Sequence, residues 1–380
     1  MNPWWQRSWT IAVLVVSVTA TVLYVARSRS EEREAWQRVR GRAAAMAAPF
    51  ARGVEAHAPL LGAAHPGFAD RHYCAPTDQF GSSTRQGDEP FLYELLAMDE
   101  LPPETEARLV RHQVALTELA AGAAADQIDY STFRKVLGIE HNGKEPVDLL
   151  AIPEVGTAAL LAARRDLATG RHSSAVQRTA DLLTVARDQF GAGVPIYDLF
   201  AASYVHGVCE LWSDPRLRDL PAAEQRQLAE VLLRFDTACG PATSCVSCAA
   251  QHLVEICAQH DDPPVGPEQI DAHLTAVTAL PGDEAPWSAR QPALAAAQAC
   301  LPQSCRIDLV TIECSRREAI ARVRLLRMAV AHHLGERVPV LRDPFGEESL
   351  QTSEHEGGLR FASSGKGAGD EPIERIVRAR

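Results

Sequence analysis

Seven of the nine cysteines lie between Cys239 and Cys314, in the runs CGPATSCVSCAAQHLVEIC and CLPQSCRIDLVTIEC. Sulfur so concentrated suggests bridges, a metal, or thiols used as small core filler. Cys248 and Cys257, like Cys305 and Cys314, are nine residues apart. On a helix that step turns about 900° and advances roughly 13 Å, which sets each pair on opposite faces and beyond bridging distance. Bridges must then run between helices, with Cys239, Cys245, Cys248, Cys257, Cys300, Cys305 and Cys314 as candidates. Disulfides between the two clusters are the favoured reading. The alternative is zinc on the stripe Cys245, Cys248 and His252, with a fourth ligand from Cys239, Cys257 or the second cluster. Nine is odd, and Cys209 in the apolar run YVHGVCELW is the candidate free thiol.

Other chemistry is sparse. Ala249 stands where a c-type haem site needs histidine, and no phosphate loop, HExxH, GxSxG or GxGxxG is present. His65, His72 and Cys74 share one irregular stretch and make a weak ligand set; His332 and His333 point about 100° apart and read as surface residues. No nucleophile–base pair can be placed together, so no enzyme and no cofactor is expected. Arg316, Arg317, Arg324 and Arg327 fall on one side of a helix, within about 100° of arc. Such a stripe is ordinarily a solvated face, and these arginines are the candidates for docking an acidic envelope partner or lipid head groups.

The 380 residues carry a net charge of −11, which argues against nucleic acid as a partner. Residues Thr10 to Ala26 contain no charge and cover roughly 25 Å as a helix, the length of a single membrane span. Trp4, Trp5, Trp9 and Tyr24 flank them as interfacial residues would. Five arginines after the span point the body to the cytoplasm, whereas the cysteines favour an oxidising compartment. The balance favours a bacterial inner-membrane protein with a periplasmic body.

The expected organisation is a tail and anchor over 1–29, a membrane-proximal helix over 30–61 and an irregular loop over 62–90. A helical body follows over 91–337, containing the cysteine region 239–314, and then a turn, hairpin and flexible tail over 338–380. Helices are expected from Pro102-Pro103-Glu104 towards Ala125, and over 154–169, 173–190, 196–212 and 222–238, each closed by Gly or Pro signals. The fold class is mainly α: a transmembrane helix, an antiparallel helical bundle and a short C-terminal β-hairpin.

Around Gly170 the stretch LLAARRDLATGRHSSAVQRTADLLTVARD resembles one tetratricopeptide unit, with Ala175 at a small-residue contact. A second copy at the required spacing is lacking. The turn Asp343-Pro344-Phe345-Gly346, followed by short strands about Gly357-Gly358, resembles the C-terminal segment of the type II secretion major pseudopilin. In that family such a turn precedes a hairpin and a calcium loop. Ser363-Ser364-Gly365 keeps the start of the loop, and Lys366-Gly367 replaces its Asp-Gly. The whole layout is similar to single-span, membrane-anchored helical proteins of myxobacteria and planctomycetes, a group with no established activity. These readings imply a non-enzymatic envelope scaffold or interaction module, with a metal-binding or thiol-redox protein as the alternative.

Overall fold

The computed structural model describes residues 32–50, 52–73, 92–96, 98, 101–134, 151–239, 243–259, 265–303, 306–367 and 370–378. Over these residues the chain is mainly helical, with a small antiparallel three-stranded sheet near the C-terminus. Helix α1 (Glu32–Ala47) precedes strands β1 (Val54–Ala56) and β2 (His65–Phe68). Helices α2 (Leu92–Leu96), α3 (Glu104–Arg111) and α4 (Gln113–Ala123) lead to β3 (Ala125–Asp129) and α5 (Tyr130–Arg134). The longer helices α6 (Ala151–Ala168), α7 (His172–Gly191) and α8 (Pro195–Leu211) come next, followed by the short α9 (Asp214–Asp219). Then come α10 (Ala222–Ala238), α11 (Thr243–Gln259), α12 (Pro267–Thr278), α13 (Trp287–Ala299) and α14 (Leu309–His333). Strands β4 (Gln351–His355), β5 (Gly358–Lys366) and β6 (Pro372–Arg378) follow α14.

Local chemistry sets these boundaries. Gly170 adopts φ +73°, a conformation cheap only for glycine, and turns α6 into α7. Pro195 opens α8, where its missing N–H costs nothing. The Asp308 carboxylate caps α14 by accepting from the Thr311 N–H at 3.0 Å. The helix expected to run from Glu104 towards Ala125 is instead two, α3 and α4, broken at the buried His112.

Two apolar cores result. The larger is built from α6, α7, α8, α10 and the C-terminal half of α14, and includes Leu183, Phe190, Val205, Trp212, Leu232 and Leu326. The smaller joins α1, α11, α12 and α13 through Trp36, Val254, Cys257, Leu274 and Leu294. Trp287 packs against both. Helices α6 and α8 touch through reciprocal small–large pairs. A Cβ on Gly156 would lie 2.0 Å from the Tyr204 ring, and one on Gly207 would lie 2.3 Å from Leu160. Glycine at both places is what lets the two helices approach.

Several expectations are corrected. The segment expected as an anchor, Thr10 to Ala26, lies outside the described residues. Among the described residues no helix is long and apolar enough to cross a membrane. The single-span anchor, the membrane as partner and the inner-membrane location are therefore not supported. Within 30–61, the expected membrane-proximal helix ends early, and Val54–Ala56 is a strand antiparallel to β3. β2 runs parallel to β3, giving a sheet in the order β1-β3-β2. The segment expected as a flexible tail supplies β6, because Ile373 and Val377 alternate onto a buried face and β6 pairs antiparallel with β5.

Candidate functional site

The expected basic stripe is largely enclosed: Arg316 and Arg317 are buried, and Arg324 and Arg327 are half-buried. Helix α14 is packed by α8, α10 and α13 and by β5 and β6, so its arginines meet carboxylates and carbonyls of other elements. Arg316 is 1% exposed, pairs with Asp198 at 3.1 Å and lies over the Phe190 ring. Arg317 donates to Glu313 at 3.0 Å and to the carbonyls of Pro344 and Asp283, and lies over Trp287. Arg324 and Arg327 both reach Asp236, Arg324 at 2.8 Å. A solvated docking face on these four residues is thereby corrected. Arg290, fully buried, meets the same Glu313 and pairs with Asp283 at 2.9 Å.

The Asp343-Pro344-Phe345-Gly346 turn is tied to this cluster and to β5. Asp343 accepts from the Phe345 N–H and the Ser363 hydroxyl on one oxygen, and from the Ser364 N–H and hydroxyl on the other. Phe345 meets Trp287 edge-on at 6.1 Å, and a Cβ on Gly365 would lie 2.2 Å from its ring. Both hydroxyls at the start of the calcium-loop-like segment are thus engaged by Asp343.

A buried polar cluster outside α14, which sequence reasoning missed, centres on Asp188. Its Oδ2 accepts from His57 Nε2 and from the Tyr73 hydroxyl, each at 2.8 Å. Its Oδ1 accepts from Arg187 Nε at 3.0 Å and Nη2 at 2.7 Å. Burial pulls this carboxyl up, but the Arg187 charge and the His57 hydrogen bond outweigh it and hold Asp188 below the ordinary range. Burial, with Asp188 beside it, pushes the Tyr73 phenol well above its ordinary value. The other His57 nitrogen, Nδ1, lies 2.6 Å from the Ala125 carbonyl of β3. The void beside Tyr73 is about 30 Å³, room for one water and not for a substrate. A sequence signal did exist: Ala180, Thr184 and Asp188 recur every fourth residue, and all three are buried on α7.

No disulfide is seen among the described cysteines, Cys209, Cys239, Cys248, Cys257, Cys300 and Cys314. Bridges among these six are corrected accordingly. One physical reason is their division between cores: Cys257 belongs to the smaller, whereas Cys209, Cys239 and Cys314 belong to or pack against the larger. Burial pushes the thiols of Cys209, Cys239 and Cys314 up to about 12. Cys305, Cys74 and the side chain of Cys245 lie outside the described residues. Among the described residues no group of three His, Cys, Asp or Glu could hold a metal. His252 is half-buried on α11, and loss of hydration pushes it down to about 4. His72 is engaged by Glu118 at 2.7 Å, and His333, expected at the surface, is buried against Asp214 at 2.9 Å.

An open cleft of about 460 Å³ lies where α6, α7 and α9 meet. Leu101, Leu167 and Ala168 give it an apolar wall, and Arg164, His172, Arg216 and Asp219 supply its polar groups. The Arg164 guanidinium also donates to the carbonyls of Leu95, Leu96 and Met98. No family model, curated protein or solved structure matches the chain.

Proposed function

We propose that this chain is a non-enzymatic helical scaffold that holds a fixed surface for a partner. One observation carries the reading. The clusters that could pass for catalytic constellations, at Asp188 and at Glu313, are buried and bonded to groups of the same chain. A catalytic group must reach substrate and keep a polar atom for it. Here His57, Tyr73 and Arg187 engage both oxygens of Asp188, while Arg290 and Arg317 meet one oxygen of Glu313, whose other oxygen is sealed from solvent. Such networks tie distant elements together: β1's exit to α7, and α13 to α14 and the Asp343 turn.

Stability measurements separate a lock from a reaction centre. Active sites store strain, so removing a catalytic group commonly leaves stability unchanged or raises it. Breaking a buried ion pair costs about 3–5 kcal/mol. Urea denaturation of Glu313→Gln is expected to lose stability on that scale. A variant as stable as the parent would count against the scaffold reading.

A further inference from the structure

Strand β4 ends the C-terminal sheet on one side, and part of its outer edge is left unbonded. The sheet runs in the order β4-β5-β6, so β4 has one neighbouring strand. All five of its residues, Gln351 to His355, are exposed. Thr352 stands opposite Phe361 and shares its face, yet Phe361 is fully buried while Thr352 is not. The sheet therefore overhangs the helices at β4.

Backbone parity says which groups face the open side. A two-residue turn, Glu356-Gly357, joins β4 to β5, with His355 opposite Gly358. In such a hairpin the closing pair exchanges both backbone bonds. Counting back by twos, Ser353 and Gln351 also bond to β5, while Thr352 and Glu354 turn their N–H and C=O outward. Leu350 is in the same phase, and its N–H is taken by the Leu341 carbonyl at 2.8 Å. The chain's own 341–343 segment thus covers this edge as far as Leu350. Beyond it, among the described residues, no backbone group pairs with Thr352 or Glu354 on the outer side.

The side chains around the open edge are acidic. Glu347, Glu348, Glu354 and Glu356 are exposed, and residues 347–356 contain no Lys or Arg. On the adjoining segments, Arg342 is held by Glu284 and Arg360 by Glu374. A second copy pairing here would bring the same four carboxylates against these, and like charges across strands repel. A basic strand would meet complementary charge instead.

We infer that β4 accepts an extended basic peptide segment as an added strand. Its backbone bonds to Thr352 and Glu354, and its Lys or Arg side chains lie beside Glu354 and the flanking glutamates. This names the partner chemistry of the proposed scaffold and rests on that reading.

Calorimetric titration of the full chain tests it with three hexapeptides. They are Lys-Thr-Lys-Thr-Lys-Thr, its counterpart with Glu for Lys, and a form methylated on the lysine backbone nitrogens. Saturable binding of the first is expected, with slowed hydrogen exchange at the Thr352 and Glu354 amides, and no binding of the second. Methylation keeps the charge and removes the donors, so it should weaken binding about tenfold. Thr352→Pro should do the same, because it deletes an outward N–H without touching the β4–β5 ladder. Glu354→Gln should weaken binding several-fold, and it decides the matter if Thr352→Pro fails to fold. Binding of the Glu peptide, undiminished binding of the methylated one, full affinity in either folded variant, or no saturable binding of the first peptide would each overturn the inference. None of these outcomes bears on the Glu313→Gln stability test, so a failure here is distinguishable from a failure of the scaffold reading.

Discussion

His57 Nε2 lies 2.8 Å from Asp188 Oδ2, although the two residues are 131 positions apart in the chain and neither side chain reaches solvent. The second His57 nitrogen lies 2.6 Å from the Ala125 carbonyl, so both ring partners are acceptors while Asp188 is ionised. Four donor contacts, from His57, Tyr73 and Arg187, fill the Asp188 carboxylate. This one carboxylate thereby holds the segment after β1, the helical residues 69–73 and α7 in one arrangement.

Removing a single donor should be felt. Tyr73→Phe deletes the hydroxyl and keeps the ring, and a hydrogen bond to a buried charge is worth about 1.5–3 kcal/mol. Urea denaturation of the variant is expected to give a loss of that size. A loss below about 0.5 kcal/mol, the scale of an ordinary surface change, would mean that the hydroxyl is not holding the carboxylate.

Gly156 and Gly207 make a second prediction against the usual trend. Gly→Ala inside a helix normally gains up to about 1 kcal/mol in propensity. Here a methyl would enter the Tyr204 ring from Gly156 or Leu160 from Gly207. Each substitution should destabilise by about 1–3 kcal/mol, as overpacking does. Thermal melts that rise would show that α6 and α8 are not in close contact.

How far the sequence was legible depended on whether a signal was local. Helix α10 has the bounds expected from its apolar period, and Gly170 marks the turn between α6 and α7. Strands β1 and β3 are too short for a period-2 pattern, and Glu55 pairs with Ile128 across more than seventy residues. The arginine stripe was misread because angular spacing locates residues on a helix but cannot say that the helix is enclosed. On α14, Arg316 and Glu318 are both buried, and their environment comes from distant elements. The Asp188 cluster was hidden for the same reason: a lone carboxylate on an apolar stripe was visible, but its partners were not.

Acid should weaken the fold through its buried histidines. Burial, with Arg108 and Arg111 adding to it, pushes His112 down to about 4, whereas the unfolded chain takes up the proton near 6.5. Between those values the unfolded state binds more protons, so this contribution is complete above about 6.5 and lost as pH falls towards 4. Asp181 works the other way: burial raises it to about 6, so its own contribution grows as pH falls from there to about 3.8. Denaturation midpoints measured from pH 7 to 4 should fall, and His112→Gln should flatten the decline. An unchanged slope in that variant would contradict the assignment.

The thiols should be inert. With Cys209, Cys239 and Cys314 pushed up to about 12, roughly one in ten thousand of each is thiolate at pH 8. Folded protein should leave these three unmodified by a thiol reagent that labels them in denaturant, as read by peptide mass. Labelling of any of the three in the folded protein would reverse this picture.

The central claim is that the polar clusters lock the fold and do not turn over a substrate. Asp188→Asn tests it most directly, because the amide keeps the shape while removing the charge that His57 and Arg187 face. The urea-denaturation free energy is predicted to fall by about 3–5 kcal/mol, the cost of breaking a buried pair. A variant equal to the parent or more stable would contradict the lock and mark Asp188 as a strained functional residue.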